Sequence, residues 1–125
     1  MNLERWLWPP QPKNAWGPRA WDWLHTIACI YPVIPTSSDV RIASQRVWNF
    51  INHLPCAECR SHAVNYVRQT PPTLESTYAL QSWVWSFHNY VNYRLGKPIV
   101  SYDEYQRLYA DEICAANTPF RRGYP

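Results

Sequence analysis

The chain has 125 residues, the length of one domain, with a formal charge of +3, 46% apolar residues, eight Trp, nine Tyr, twelve Pro and only three Gly. That apolar content excludes wholesale disorder, three glycines cannot build a glycine-rich phosphate loop, and no apolar run reaches the roughly 20 residues of a membrane span. The positive charge, part of it from Arg121 and Arg122, is too small to mark a dedicated nucleic-acid binder.

Residues 1–14 carry Trp6, Trp8, Pro9, Pro10 and Pro12 and read as an arm ordered only on contact. They hold neither a signal-peptide apolar core nor an Arg/Ser-rich transit pattern, so use without a cleavable export signal is expected. A first helix is expected from Pro18, whose fixed φ suits a first turn, through Trp21, Leu24, His25 and Ala28 to a stop before Pro32. Ser37 or Ser38 should cap a second, with Val40, Ala43, Val47, Phe50 or Ile51, and Leu54 at helical spacing. After Pro55 a third runs from about Cys56 to Gln69, before Pro71 and Pro72. The fourth runs from about Leu74 to Leu95, with Leu80, Trp83 or Val84, Phe87, Val91 and Leu95 inward and Gly96 at the left-handed cap position. A short fifth starts at Ser101, with Glu104 completing a capping box. No segment alternates with period two, so the expected class is all-α: a four-helix bundle with a short fifth helix over residues 15–113, and a basic tail over 114–125.

Of the four cysteines, Cys56 and Cys59 form a Cys-x-x-Cys pair, while Cys29 and Cys114 stand apart. A chain able to build a core is a poor candidate for disulfide scaffolding, so redox chemistry, a metal half-site and coincidence are the readings open for the pair. Side chains three apart on a helix lie about 5–6 Å apart, within reach of a disulfide. Pro55 places both sulfurs in the first helical turn, where orphan N–H groups and the positive dipole end favour a thiolate. That combination suits thiol–disulfide exchange. Zinc would have to recruit His53 and His62 without a second Cys-x-x-Cys, no strand precedes the pair as in thioredoxin, and Arg60 stands where covalent haem needs His.

Two further groupings bear on the choice. His88 and Asn92 lie one turn apart on one face of the most apolar helix, with Asn89 beside them and Lys97 just beyond its end. Such groups need partners, either each other or a ligand with ring nitrogens, carbonyls and a phosphate. Trp21 and His25 present a flat ring and an imidazole on one stripe of the first helix, suited to core packing or to sandwiching a planar heterocycle. A non-enzymatic helical adaptor, binding partners through the Trp/Pro arm and the basic tail, is the rival of a different class.

Taken together, Trp-Gly-Pro-x-x-Trp-x-x-Leu-His-Thr over 16–26, Tyr31-Pro32, Leu-Pro-Cys-x-x-Cys over 54–59 and Phe-His-Asn-x-Val-Asn-x-Arg-Leu-Gly-Lys-Pro over 87–98 resemble the Erv/ALR family of FAD-linked sulfhydryl oxidases. The match spans about residues 15–110, and the shortness of the chain is similar to the minimal forms of large DNA viruses. The resemblance implies FAD held non-covalently at the mouth of the bundle, usually in a homodimer. It also implies oxidation of protein dithiols, or of a thioredoxin-like carrier, with electrons passing to O2 to give H2O2. Cys59 would be the flavin-proximal sulfur and Cys56 the outer one. Gly17, Arg19, Trp21, His25, Trp85, His88, Asn89, Asn92, Leu95, Lys97 and Tyr109 fall where the family contacts FAD; Tyr109 stands where Trp is frequent. Relatives often join the fourth helix to the following loop by a disulfide; Trp85 and Tyr102 occupy those positions here, so ring packing would replace it. Cys29 reads as a small buried apolar residue, and Cys114 as a vestigial shuttle, an intersubunit link or a free thiol. Location at a viral cytoplasmic assembly site or in the virion is expected, with the mitochondrial intermembrane space as the alternative.

Overall fold

The computed structural model describes residues 13–114. Most of the expected arm (1–14) and all but the first residue of the expected tail (114–125) lie outside that range, as do the side chain of Tyr109 and Arg121 and Arg122. Among the described residues there are five α-helices and no strand: α1 (Lys13–Ile30), α2 (Ser37–Asn52), α3 (Ala57–Gln69), α4 (Thr77–Arg94) and α5 (Tyr102–Tyr105). The chain continues from α5 into a wider π-helical stretch, Gln106–Cys114. None of these helices is long and apolar enough to cross a membrane. The all-α expectation therefore holds.

Helix α1 starts five residues earlier than Pro18, which lies inside it. A proline there forfeits one backbone hydrogen bond, and Gly17, lacking a Cβ, eases the clash that usually keeps the residue before proline out of the helical region. Helix α2 is capped by Thr36 rather than by either serine: its Oγ1 accepts the Asp39 N–H at 3.1 Å, and Asp39 Oδ2 accepts the Thr36 N–H at 2.8 Å. Its buried stripe is Ala43, Val47 and Ile51, whereas Val40, expected inside, is exposed and Phe50 stacks on Trp23. Helix α4 is capped by Ser76 and buries Leu80, Trp83, Val84 and Phe87, leaving Val91 half-buried and Leu95 exposed.

The core joins Leu24, Ile27 and Ala28 of α1 to Val47 and Ile51 of α2, Ala63 and Val67 of α3, and the α4 stripe. Helix α1 packs on α4 and on the π-helical stretch, and α2 on α3. Buried Thr77 locks the first of these contacts, donating to the Ala28 carbonyl at 2.7 Å and accepting from Gln81 Nε2 at 2.9 Å. The sequence reading missed one covalent tie. Cys29 and Cys114 form a disulfide across 85 residues, which corrects both the reading of Cys29 as a plain apolar residue and the readings of Cys114 as shuttle, link or free thiol. Neither spacing nor context in the sequence points to a pair so far apart.

Candidate active site

The Cys-x-x-Cys pair sits at the start of α3. Cys56 is the N-cap itself, and its Sγ accepts the backbone N–H of Cys59 at 3.2 Å. An N–H donor and the positive end of the helix dipole both favour negative charge on that sulfur. The turn before it is braced by Arg60, whose Nη1 donates to the Leu54 carbonyl. Glu58, between the cysteines, reaches Arg94 of α4 at 3.5 Å and His62 at 3.8 Å, so polar groups link α3 to α4 beside the pair. Among the described residues, no three His, Cys, Asp or Glu side chains converge on one point.

A cavity of about 520 Å³ opens between α1, α3 and α4. It falls within the roughly 300–1,000 Å³ of small-molecule and cofactor sites. Gly17, Trp21, Cys59, His88, Asn92, Leu95 and Lys97, all expected at the site, line it. Cys56 is not among its lining residues. The Trp21 and His88 rings stack with centroids 3.9 Å apart at 10°, and Phe87 meets Trp21 edge-on. Behind His88, fully buried His25 shares a hydrogen bond with it, Nε2 to Nδ1, at 3.2 Å, and Tyr105 packs on the His25 ring. Burial, and then the charge of His88, lower the His25 pKa to about 3; burial, and then the Lys97 ammonium, lower that of His88 to about 4. Both imidazoles are therefore neutral at pH 7.

Lys97 reaches the cavity because α4 ends in a tight reversal. Gly96, at φ 71°, donates its N–H to the Tyr93 carbonyl at 3.2 Å, and the Lys97 N–H bonds the Asn92 carbonyl at 2.8 Å. This is a Schellman pattern, which needs the left-handed residue that the sequence supplies as glycine. The remaining expected residues sit elsewhere. Arg19 is exposed and off the lining. Trp85 Nε1 and Asn89 Nδ2 each donate to the Val100 carbonyl at 2.8 Å, while Asn89 Oδ1 accepts the Val100 N–H at 2.9 Å, so this pair holds the 95–101 connection rather than facing the cavity. Trp85 also meets Tyr102 edge-to-face with centroids 5.2 Å apart, the ring packing expected in place of a disulfide. Sequence reasoning missed Trp16, Glu58, His62 and Arg94 on the cavity wall; the four-residue spacing of Glu58 and His62 was the available signal for two of them.

The residues present fit FAD. A flat Trp/His face suits a fused ring, the carboxamide of Asn92 and neutral imidazole suit its polar edge, and Lys97 and Arg94 offer charge to a pyrophosphate.

An all-helical bundle that seats a Cys-x-x-Cys pair at the edge of such a cavity defines a dithiol redox protein of the cofactor-binding kind. The model of the Erv1 / Alr family matches residues 18–110, and the chain belongs to that family. It is 41% identical over 98 residues to the FAD-linked sulfhydryl oxidase of African swine fever virus, spanning 78% of this chain and 82% of that one. To the mitochondrial FAD-linked sulfhydryl oxidase ERV1 of Saccharomyces cerevisiae it is 30% identical over 103 residues, spanning 82% of this chain and 54% of that one. The crystal structure of the yeast Erv1 core superposes with a TM-score of 0.77 at 29% identity, over 82% of this chain and 87% of that one. The FAD binding domain of Erv1 gives 0.76 at 29% identity, over 81% and 96%.

Proposed function

We propose that this protein is an FAD-dependent sulfhydryl oxidase that forms disulfide bonds in protein dithiols through Cys56 and Cys59. The observation that carries the reading is the asymmetry of the pair: Cys59 lines the cavity with Trp21 and His88, and Cys56 does not. Family membership and the sulfhydryl oxidases among its relatives support the cofactor and the reaction class.

In the forward direction a substrate thiolate attacks Cys56 of the oxidised pair, displacing Cys59 as a thiolate. The second substrate thiol resolves the mixed disulfide, leaving the substrate oxidised and the pair carrying two electrons. Bound FAD supplies the two-electron acceptor for the reduced pair, with O2 as the terminal acceptor and H2O2 as product. The chain contributes position and electrostatics. The α3 N-terminus stabilises the sulfur anions, the Leu54–Arg60 bond fixes the approach to the pair, and the Trp21–His88 face with Asn92, Leu95 and Lys97 holds the cofactor. His25 backs His88, Gly17 borders the cavity, and Trp85 and Asn89 position its Val100 edge. Arg19 and Tyr109 remain assigned to FAD by family position alone. Partners are protein dithiols or a thioredoxin-like carrier. A homodimer is the assembly expected, and half-exposed Trp23, Val40 and Ile42 on α1 and α2 offer apolar surface for it. A viral assembly site or virion is favoured over the mitochondrial intermembrane space by the viral relatives.

The purified protein should be yellow, with flavin absorbance near 450 nm that dithiothreitol bleaches. Cys56→Ser should keep the colour and lose turnover of a protein dithiol; Cys59→Ser should lose bleaching as well. A colourless helical protein that takes up no added FAD would refute the oxidase and leave the adaptor. Rapid bleaching in Cys59→Ser would refute the assignment of the proximal sulfur.

A further inference from the structure

Cys29 stands four residues beyond His25 and eight beyond Trp21, so all three lie on one stripe of α1. It is 1% exposed, and its sulfur is bonded to that of Cys114, the last described residue of the π-helical stretch. The segment between α4 and that bond carries Tyr102 and Tyr105. Tyr105 is 1% exposed, packs on the His25 ring with centroids 5.2 Å apart, and touches Tyr102, which meets Trp85 of α4. The 102–114 segment is therefore pinned on its α4 side by ring packing and the Val100 hydrogen bonds, and on its α1 side by a covalent bond. His25 in turn fixes the orientation of His88, which lines the cavity.

We infer that the Cys29–Cys114 disulfide clamps the α5 and π-helical segment against α1 as the supporting wall of the cofactor site, which makes Cys29 and Cys114 positioning residues for FAD. This rests on the cavity being the flavin site. Opening the bridge adds two electrons and two protons, gives two thiols, and frees the segment to swing from α1. Tyr105 then leaves His25, the His25–His88 pair loosens, and the cofactor escapes faster. The Cys56–Cys59 pair is not consumed in this event.

The test uses the full chain with Cys56→Ser and Cys59→Ser, in which Cys29–Cys114 is the one bridge a reductant can open. FAD-loaded protein is treated with a phosphine, which becomes its oxide as the disulfide becomes two thiols, and opening is verified by mass. FAD release is followed by fluorescence and backbone protection by hydrogen exchange. The expected result is release at least tenfold faster, loss of protection confined to 102–114, and recovery of both on reoxidation. A Cys29→Ala/Cys114→Ala version that keeps its helical circular dichroism should match the reduced protein. Unchanged release with the bridge open would overturn the inference, as would protection lost equally from α2 and α3, which marks a general staple. A bridged, helical protein that binds no FAD would overturn the site reading beneath it, a result separable from the others because it appears before any reduction.

Discussion

The His25–His88 pair shows how one residue's burial sets a property of the molecule. The two rings share a hydrogen bond, so one nitrogen donates and the other accepts, and the accepting ring must be neutral. Burial is the main reason both resist protonation, with folded values of about 3 for His25 and about 4 for His88. In the unfolded chain both titrate near 6.5. Between those limits the unfolded state binds more protons than the folded one, so stability rises with pH; it is full above about 6.5 and is lost as pH falls toward 4. With two groups the slope approaches about 2.7 kcal/mol per pH unit once both are protonated in the unfolded chain. Urea midpoints of the apoprotein should therefore be level from pH 8 to 7 and drop steeply from 6 to 5. His88→Gln, which retains an amide partner for His25, should roughly halve that drop. A midpoint that stays level down to pH 5 would contradict the buried, neutral pair.

Individual elements depend on a few polar contacts among many apolar ones. Thr77, fully buried, ties the start of α4 to the end of α1 through Ala28 and Gln81. Thr77→Val keeps the shape but strands a carbonyl and an amide, at a cost of about 1–3 kcal/mol. Thermal unfolding should register most of that loss in Thr77→Val and little in Thr77→Ser; equal stability of the two would show the hydroxyl to be idle. Most core positions of the four main helices were legible because their burial repeats every three to four residues and prolines bound the connections; Val40 and Leu95, at the ends of their stripes, are exposed instead. The cap of α2 was not: three hydroxyl residues stand in a row from Thr36 to Ser38, and only the extended backbone at Thr36 and its reciprocal bonds with Asp39 decide which one caps, to which periodicity is blind. The same division runs through the site. His88 and Asn92 were found by their shared face, and Lys97 by its place just beyond the helix end. Arg19 was carried in by family position, and in the described structure it is exposed and does not line the cavity. Trp85 and Asn89 were also placed by family position; their hydrogen bonds to Val100 leave no periodic trace in the sequence.

At the scale of the whole molecule, the described bundle is closed by one covalent bond between residues 85 apart, and its cavity is built to be filled. A loop of that length gives an upper estimate of about 4–5 kcal/mol for the entropy the bridge removes from the unfolded chain. A ligand that binds only the folded state adds RT ln(1 + [L]/Kd), about 2.7 kcal/mol at a hundredfold excess over Kd. If the bridge served chain entropy alone, the two contributions would be independent, and FAD would stabilise bridged and unbridged proteins with the same concentration dependence. Because the bonded segment packs on His25 behind the cavity wall, they are expected to couple. Cys29→Ala/Cys114→Ala should therefore lose several kcal/mol as apoprotein. It should also need at least ten times more FAD for a given rise in unfolding midpoint, with the logarithmic slope unchanged because a single site is still being filled. Denaturant titrations of both proteins across a range of FAD concentrations read the two effects separately: a parallel line displaced along the concentration axis marks coupling, and coincident FAD dependence marks a bridge that acts on the unfolded chain alone.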